Sequence, residues 1–153
     1  MPPRSIPMDH NIFTAGPVSP VSAVFPLLLV LMIWGLPGSA SAADHTTDSL
    51  DTVKQKVKDQ QALLVDVRET KEWDEGHLAE ARLSPLSLLQ NDAELAKQLK
   101  NLPKDKIIYC HCRSGRRCLT AADILKKQGY DVRPLKAGYE DLLKAGFPQA
   151  KGK

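Results

Sequence analysis

Ile107-Ile108-Tyr109-Cys110-His111-Cys112-Arg113-Ser114-Gly115-Arg116-Arg117-Cys118 runs from an apolar β-like stretch through a cysteine into a short arginine-rich loop with one glycine. A helical pattern opens directly after it, at Leu119-Thr120-Ala121-Ala122. This order predicts Cys112 at the tip of a strand, with its sulfur over the N-terminus of a helix. Backbone N–H groups there have no intrahelical partner and favour negative charge. Arg113, Arg116 and Arg117 add positive potential. Such surroundings lower a thiol pKa and favour the thiolate, which is the nucleophile. The same loop suits an anionic substrate.

On either side of this stretch, apolar strand-like runs alternate with amphipathic ones. Ala62-Leu63-Leu64-Val65-Asp66-Val67 reads as a buried strand, and Lys106 to Cys110 as a second. Val132 to Leu135 is a third. Thr46-Thr47-Asp48 offers N-caps for a helix through about Asp59, with Leu50, Val53 and Val57 on one face. Glu69 to Gly76 is charged and holds a helical turn. Asp92 to Leu102 reads as a helix with Leu95, Leu99 and Leu102 inward and Pro103 beyond its end. Arg117 to Gln128 is a helix that Gly129 ends, and Tyr139 to Ala145 a last one, stopped by Gly146 and Pro148. Strands alternating with helices imply an α/β fold, a mainly parallel central sheet with helices on both faces. Ligands of such sheets bind beyond the carboxyl ends of the strands, where the Cys112 loop lies.

The 153-residue chain is the length of one domain, and its N-terminal part is set aside from the fold. Val21 to Leu36 is an uncharged apolar run, shorter than the ~20 residues of a spanning helix and interrupted by Pro26. Ala40-Ser41-Ala42 follows as an A-x-A cleavage pattern. Residues 1–42 are therefore expected to be a cleaved signal peptide, with cleavage near Ala42-Ala43 and Met8 as an alternative start. Residues 43–153 form the folded domain, periplasmic or secreted, a monomer without stable membrane association once the leader is removed. The net charge of +3 is spread rather than clustered, which excludes nucleic acid as an expected partner. All three cysteines lie between positions 110 and 118, too close to staple distant parts of a fold, and an odd count leaves a reactive thiol.

Several segments, in order, carry a family resemblance: Leu64-Val65-Asp66-Val67-Arg68; Glu72-Trp73-Asp74-Glu75-Gly76-His77-Leu78; Tyr109 to Arg117, like the active loop C-R-S-G-x-R; Leu135-Lys136-Ala137-Gly138-Tyr139; and Gly146-Phe147-Pro148. Together the chain resembles a single-domain rhodanese, from about Leu63 to Pro148. It departs from the family pattern at Glu80, Ala137 and Leu142. Cys118 stands where a Ser is usual, and Cys110 adds a thiol before the loop. The resemblance implies a three-layer rhodanese-like fold and a sulfurtransferase of the thiosulfate:cyanide type. Cys112 would be the catalytic nucleophile and carry sulfur as a persulfide. Arg113, Ser114, Gly115, Arg116 and Arg117 would bind a small anionic donor such as thiosulfate, and a thiophilic acceptor would take the sulfur. No organic cofactor and no metal is expected. Spacing leaves open which arginines face the pocket; Arg117 and Arg113 are the expected pair. Asp66, Arg68 and His77 are expected to be structural, with Arg68 pairing Glu72 and His77 bracing the loop after the first strand. His111 is placed to tune its neighbour.

Three rivals are defined. A cysteine-dependent phosphatase or arsenate reductase uses H-C-x5-R; from Cys112 that arginine falls on Cys118, one residue off, whereas Cys110 spells C-x5-R with Arg116 but from inside the strand. A soft-metal or redox module would use Cys110, His111 and Cys112, with Cys118 or His77, or cycle Cys112 against Cys118. A non-catalytic family module would lack the cysteine, which is present here.

Overall fold

The computed structural model describes residues 43–150; the expected leader and its cleavage point after Ala42 lie outside the described residues. Four parallel strands, β1 (Ala62–Asp66), β2 (Ala81–Leu83), β3 (Ile107–His111) and β4 (Val132–Pro134), form one sheet in the order β2-β1-β3-β4. Six helices connect and flank them: α1 (Leu50–Lys58), α2 (Thr70–Glu75), α3 (Leu86–Leu89), α4 (Asp92–Lys100), α5 (Arg116–Lys127) and α6 (Tyr139–Lys144).

Strand alternation divides the core in two. Val65, Ile108 and Cys110 point to one face and pack with Leu89 of α3, Leu95 and Leu99 of α4, and Ala121, Ala122 and Leu125 of α5. Leu64 and Tyr109 point to the other, against Val53 of α1, Leu142 of α6 and Phe147. Helices thus cover both faces, as the alternating apolar runs predict, and β1 and β3 are buried along almost their whole length. Pro134 ends β4 at the sheet edge, where a missing N–H is tolerated.

One local reading needs correction, and two short elements were not anticipated. The N-cap of α1 is Ser49, whose hydroxyl accepts from the Thr52 amide; Asp48 instead accepts from Tyr109 Oη and Arg133, and the Thr46 amide donates to Pro134 O at 2.8 Å. The segment before α1 is thus drawn onto the sheet edge rather than wound into the helix. β2 and α3 carried no sequence expectation. They are three and four residues long and form by pairing with β1 and packing beside α4.

Candidate functional site

β1 and β3 end side by side, with Asp66 paired in register with His111, and the site is built on those two ends. Cys112 follows β3 directly. It continues the alternation, so its sulfur falls on the α5 side with Cys110, while His111 points to the opposite face. The chain then turns through Gly115, at φ +81°, into α5. A Cβ on Gly115 would lie 2.7 Å from the Lys136 carbonyl oxygen, so this position needs glycine for both its φ and its space.

The turn aims the amides of Ser114, Arg117 and Cys118 at the Cys112 sulfur, and the Cys118 thiol hydrogen-bonds it as well. Cys118 and these amides outweigh burial and bring the Cys112 thiol down to about 5, so it is a thiolate at neutral pH. The neighbouring thiols Cys110 and Cys112, together with burial, push the Cys118 thiol up. The anion is thus concentrated on one of three adjacent sulfurs.

The arginines divide unequally. Arg113 lines a cavity of about 380 Å³ together with Arg68, Glu72, Glu75, Gly76, Tyr139 and Glu140. Arg117 grips Glu72 through two bonds of 2.6 and 2.8 Å, while its charge and donors also bear on Cys112. That pairing holds Glu72 down at about 2. Arg116 is exposed, and neither it nor Arg117 lines the cavity, so of the expected pair Arg113 and Arg117 only Arg113 does. The Ser114 side chain is exposed, and its amide rather than its hydroxyl faces the sulfur.

Arg68 does not pair with Glu72. Its guanidinium folds back on Asp66, with Nε and Nη2 at 2.8 and 2.7 Å from Oδ2, donates to Gly76 O at 2.8 Å, and lies 4.1 Å from the Tyr139 ring centre. Burial explains the exchange: Asp66 is fully enclosed beside Arg68, leaving Glu72 to the half-exposed Arg117. His77 braces α2 rather than the loop after β1: Nδ1 is 3.0 Å from Trp73 O, and the two rings stack 3.7 Å apart.

Glycine fixes the remaining wall. Gly138 packs so tightly on the loop that a Cβ there would sit 2.0 Å from the Arg113 carbonyl oxygen, while the Tyr139 amide donates to Cys112 O at 2.9 Å. Ala137, beside it, is tolerated because it is only half-buried against the second core. Gly138→Ala is expected to cost about 2 kcal/mol by forcing the loop outward. Gly129→Ala, where nothing lies within 4 Å, is expected to cost only the ~1 kcal/mol of its left-handed backbone. Urea unfolding of the two variants checks the contrast. Reasoning from spacing missed Gly138's close approach, Tyr139 and the acidic wall of Glu72, Glu75 and Glu140; the segment Leu135-Lys136-Ala137-Gly138-Tyr139 was the one signal available for the first.

His111 is fully enclosed, neither ring nitrogen has a hydrogen-bond partner among the described residues, and Asp66 Oδ2 is 3.8 Å from Nε2. Burial drives its pKa down to about 4 despite Asp66, so it is neutral over the physiological range. The unfolded imidazole protonates near 6.5, the folded one near 4. Between them the unfolded chain binds more protons, so this contribution is complete above pH 6.5 and is lost as pH falls through 4. The loss is expected to reach about 3 kcal/mol, and to vanish in His111→Leu when unfolding is followed across that window. Glu72, with its depressed pKa, loses its contribution only below the ordinary value of 4.5 and is separable.

Two rival sites fail on placement. Cys110 lies inside β3, and its thiol donates to Cys118 O at 3.6 Å, so a loop counted from Cys110 would begin within the strand rather than at its end. Cys110 and Cys112 face one way and His111 the other, and among the described residues no group of three His, Cys, Asp or Glu side chains is arranged to hold a metal ion.

The fold and site define a rhodanese-like domain, and the profile of that family matches residues 49–145. The chain belongs to the rhodanese-like domain family. It is 35% identical over 97 residues to the putative sulfur carrier protein YrkF of Bacillus subtilis, covering 63% of this chain and 49% of that one, so it spans about half the length of that relative. A sulfurtransferase of Allochromatium vinosum is 30% identical over 100 residues, 64% of this chain and 88% of that protein. Among solved structures, a rhodanese-related protein from Thermoplasma volcanium superposes with a TM-score of 0.54 at 25% identity, covering 66% of this chain and 93% of that one.

Proposed function

We propose that this protein is a sulfurtransferase that accepts sulfane sulfur from thiosulfate on Cys112 and passes it to cyanide or another thiophilic acceptor. The observation that carries the reading is the Cys112 thiolate, held at about 5 by the Cys118 thiol and the amides of Ser114, Arg117 and Cys118. The thiolate attacks the outer sulfur of thiosulfate. A new S–S bond forms, the old one breaks, and its electron pair leaves with sulfite. The product is a Cys112 persulfide, itself an anion, and the same amides suit it. Arg113 at the cavity wall and Arg117 beside the sulfur supply the positive charge that a doubly charged donor needs. An acceptor then attacks the outer sulfur and regenerates the thiolate.

The protein is further proposed to be an exported monomer beginning at Ala43. The uncharged run from Val21 to Leu36 and the Ala40-Ser41-Ala42 pattern support export. Ala43 is buried, and its nitrogen donates to Asp123 Oδ1 at 2.8 Å; a chain starting there would set an ammonium on that carboxylate. Among the described residues no helix is long and apolar enough to cross a membrane. N-terminal sequencing of the exported protein tests the start.

Thiocyanate formation from thiosulfate and cyanide by the reduced protein tests the activity. Turnover supports the reading. Absence of thiocyanate together with hydrolysis of a phosphate ester would overturn it.

A further inference from the structure

The sulfur-transfer cycle leaves two thiols beside the loop unused. Cys110, Cys112 and Cys118 are all free, all buried and part of one apolar cluster, because α5 lays its first turn on the face of β3 that carries Cys110 and Cys112. Within the cluster the contacts differ. Cys110 sits inside the strand and directs its thiol at the helix, onto Cys118 O at 3.6 Å. The Cys118 thiol is within hydrogen-bonding reach of both other sulfurs, that of Cys110 and, across the turn that Gly115 closes, that of Cys112. Cys112 is 1% exposed and Cys118 wholly enclosed. A thiol therefore already lies within reach of the sulfur-carrying atom, which is itself almost wholly enclosed. Contact of this kind gives an intramolecular attack a large advantage in effective concentration.

We propose, resting on the sulfur-transfer reading, that Cys118 discharges the Cys112 persulfide internally, releasing hydrosulfide and leaving a Cys112–Cys118 disulfide. The Cys118 sulfur attacks the inner sulfur of the persulfide. The Cys112–Cys118 bond forms and the bond to the outer sulfur breaks. That sulfur takes the electron pair and the Cys118 proton and leaves as hydrosulfide. The sulfane sulfur is reduced, the two cysteines are oxidised to the disulfide, and no outside oxidant enters. A dithiol reductant reopens the disulfide, so thiosulfate and a dithiol together become sulfite, sulfide and an oxidised dithiol. In the resting enzyme the neighbouring thiols keep Cys118 protonated, and it acts as a hydrogen-bond donor. It becomes the attacking group only when the charge has moved to the outer sulfur. The serine usual at this position cannot form the disulfide, so this chain's cysteine adds a second outlet to the site.

The test treats the reduced chain with thiosulfate and no acceptor, then measures intact mass, released sulfide and tryptic peptides. The wild type is expected to become two hydrogens lighter, to release one equivalent of sulfide, and to yield the peptide Ile107–Arg113 joined to Cys118–Lys126. Cys118→Ser, which keeps the backbone amide and a hydroxyl donor, is expected to load sulfur more slowly, then to stay one sulfur atom heavier at Cys112 and to release no sulfide. Cys110→Ser is expected to behave as the wild type; loss of the linked peptides there would assign the bond to Cys110 and overturn the proposal. A wild-type chain that stays one sulfur heavier, unlinked and without sulfide would overturn it while leaving the sulfur-transfer reading intact. If neither the wild type nor Cys118→Ser gains sulfur or a link, the sulfur-transfer reading itself fails.

Discussion

Cys112→Ser is expected to lower thiocyanate formation on the order of 10⁴-fold or more, because it removes the covalent sulfur carrier rather than a contact to it. A serine hydroxyl in the same nest of amides stays protonated at neutral pH and forms no persulfide. The fold should be little changed, since Cys112 is a small enclosed side chain and serine has nearly its shape. The comparison is therefore made at equal folded fraction, with unfolding curves run on both proteins. Retention of a tenth of the wild-type rate would place the nucleophile elsewhere. Of the two other thiols, Cys110 lies inside β3 and Cys118 is kept protonated by its neighbours, so neither stands in for Cys112.

Asp66→Asn is the substitution with the largest expected cost in stability, about 4 kcal/mol. Asp66 and Arg68 are 0% and 5% exposed at the side chain and share two close contacts on one oxygen. Removing the carboxylate charge leaves an enclosed guanidinium facing only uncharged acceptors: the asparagine amide oxygen, the Gly76 carbonyl and the Tyr139 ring. An unpaired buried cation costs far more than the net worth of the pair it came from. Arg68 also lines the cavity beside Arg113, so its displacement should slow catalysis in the molecules that still fold. Urea unfolding at neutral pH measures the first effect. A loss under about 1 kcal/mol would mean that Arg68 escapes to water when its partner is removed. The Arg117–Glu72 pair, with both side chains nearly a third exposed, should be worth much less on the same measurement.

The contrast between those two ion pairs shows what local sequence conveys. The strands β1 and β3, the Cys112 loop and α5 were legible because each is set by its own residues: an unbroken apolar run buried on both faces, a glycine at the turn, and a helical period ending at Gly129. Partners of long charged side chains are not set that way. Arg68 and Glu72 stand at helical spacing, yet Arg68 turns back two residues to Asp66, and Glu72 is taken by Arg117, 45 positions away. Which carboxylate each arginine finds depends on where β3 and α5 dock against β1, a tertiary fact. The same holds for Gly138, whose need for a missing side chain arises only where it meets Arg113. It holds too for β2, three residues with no strand pattern that become a strand because β1 offers an edge. Cys112 was legible and its surroundings only half so. The amides around the sulfur follow from the loop, but the acidic wall of the cavity comes from α2 and α6, far apart in the chain.

Sulfur transfer at this site depends on the loop holding Cys112 as a thiolate at neutral pH. The most direct test is the ultraviolet absorbance of thiolate followed against pH, as the difference between the wild type and Cys112→Ser. The site described here predicts a single transition centred near 5, assigned to Cys112 by its absence from the variant. A transition near the ordinary thiol value of 9.0 would show that the amides and the Cys118 thiol do not stabilise the anion, and would contradict the account of the site.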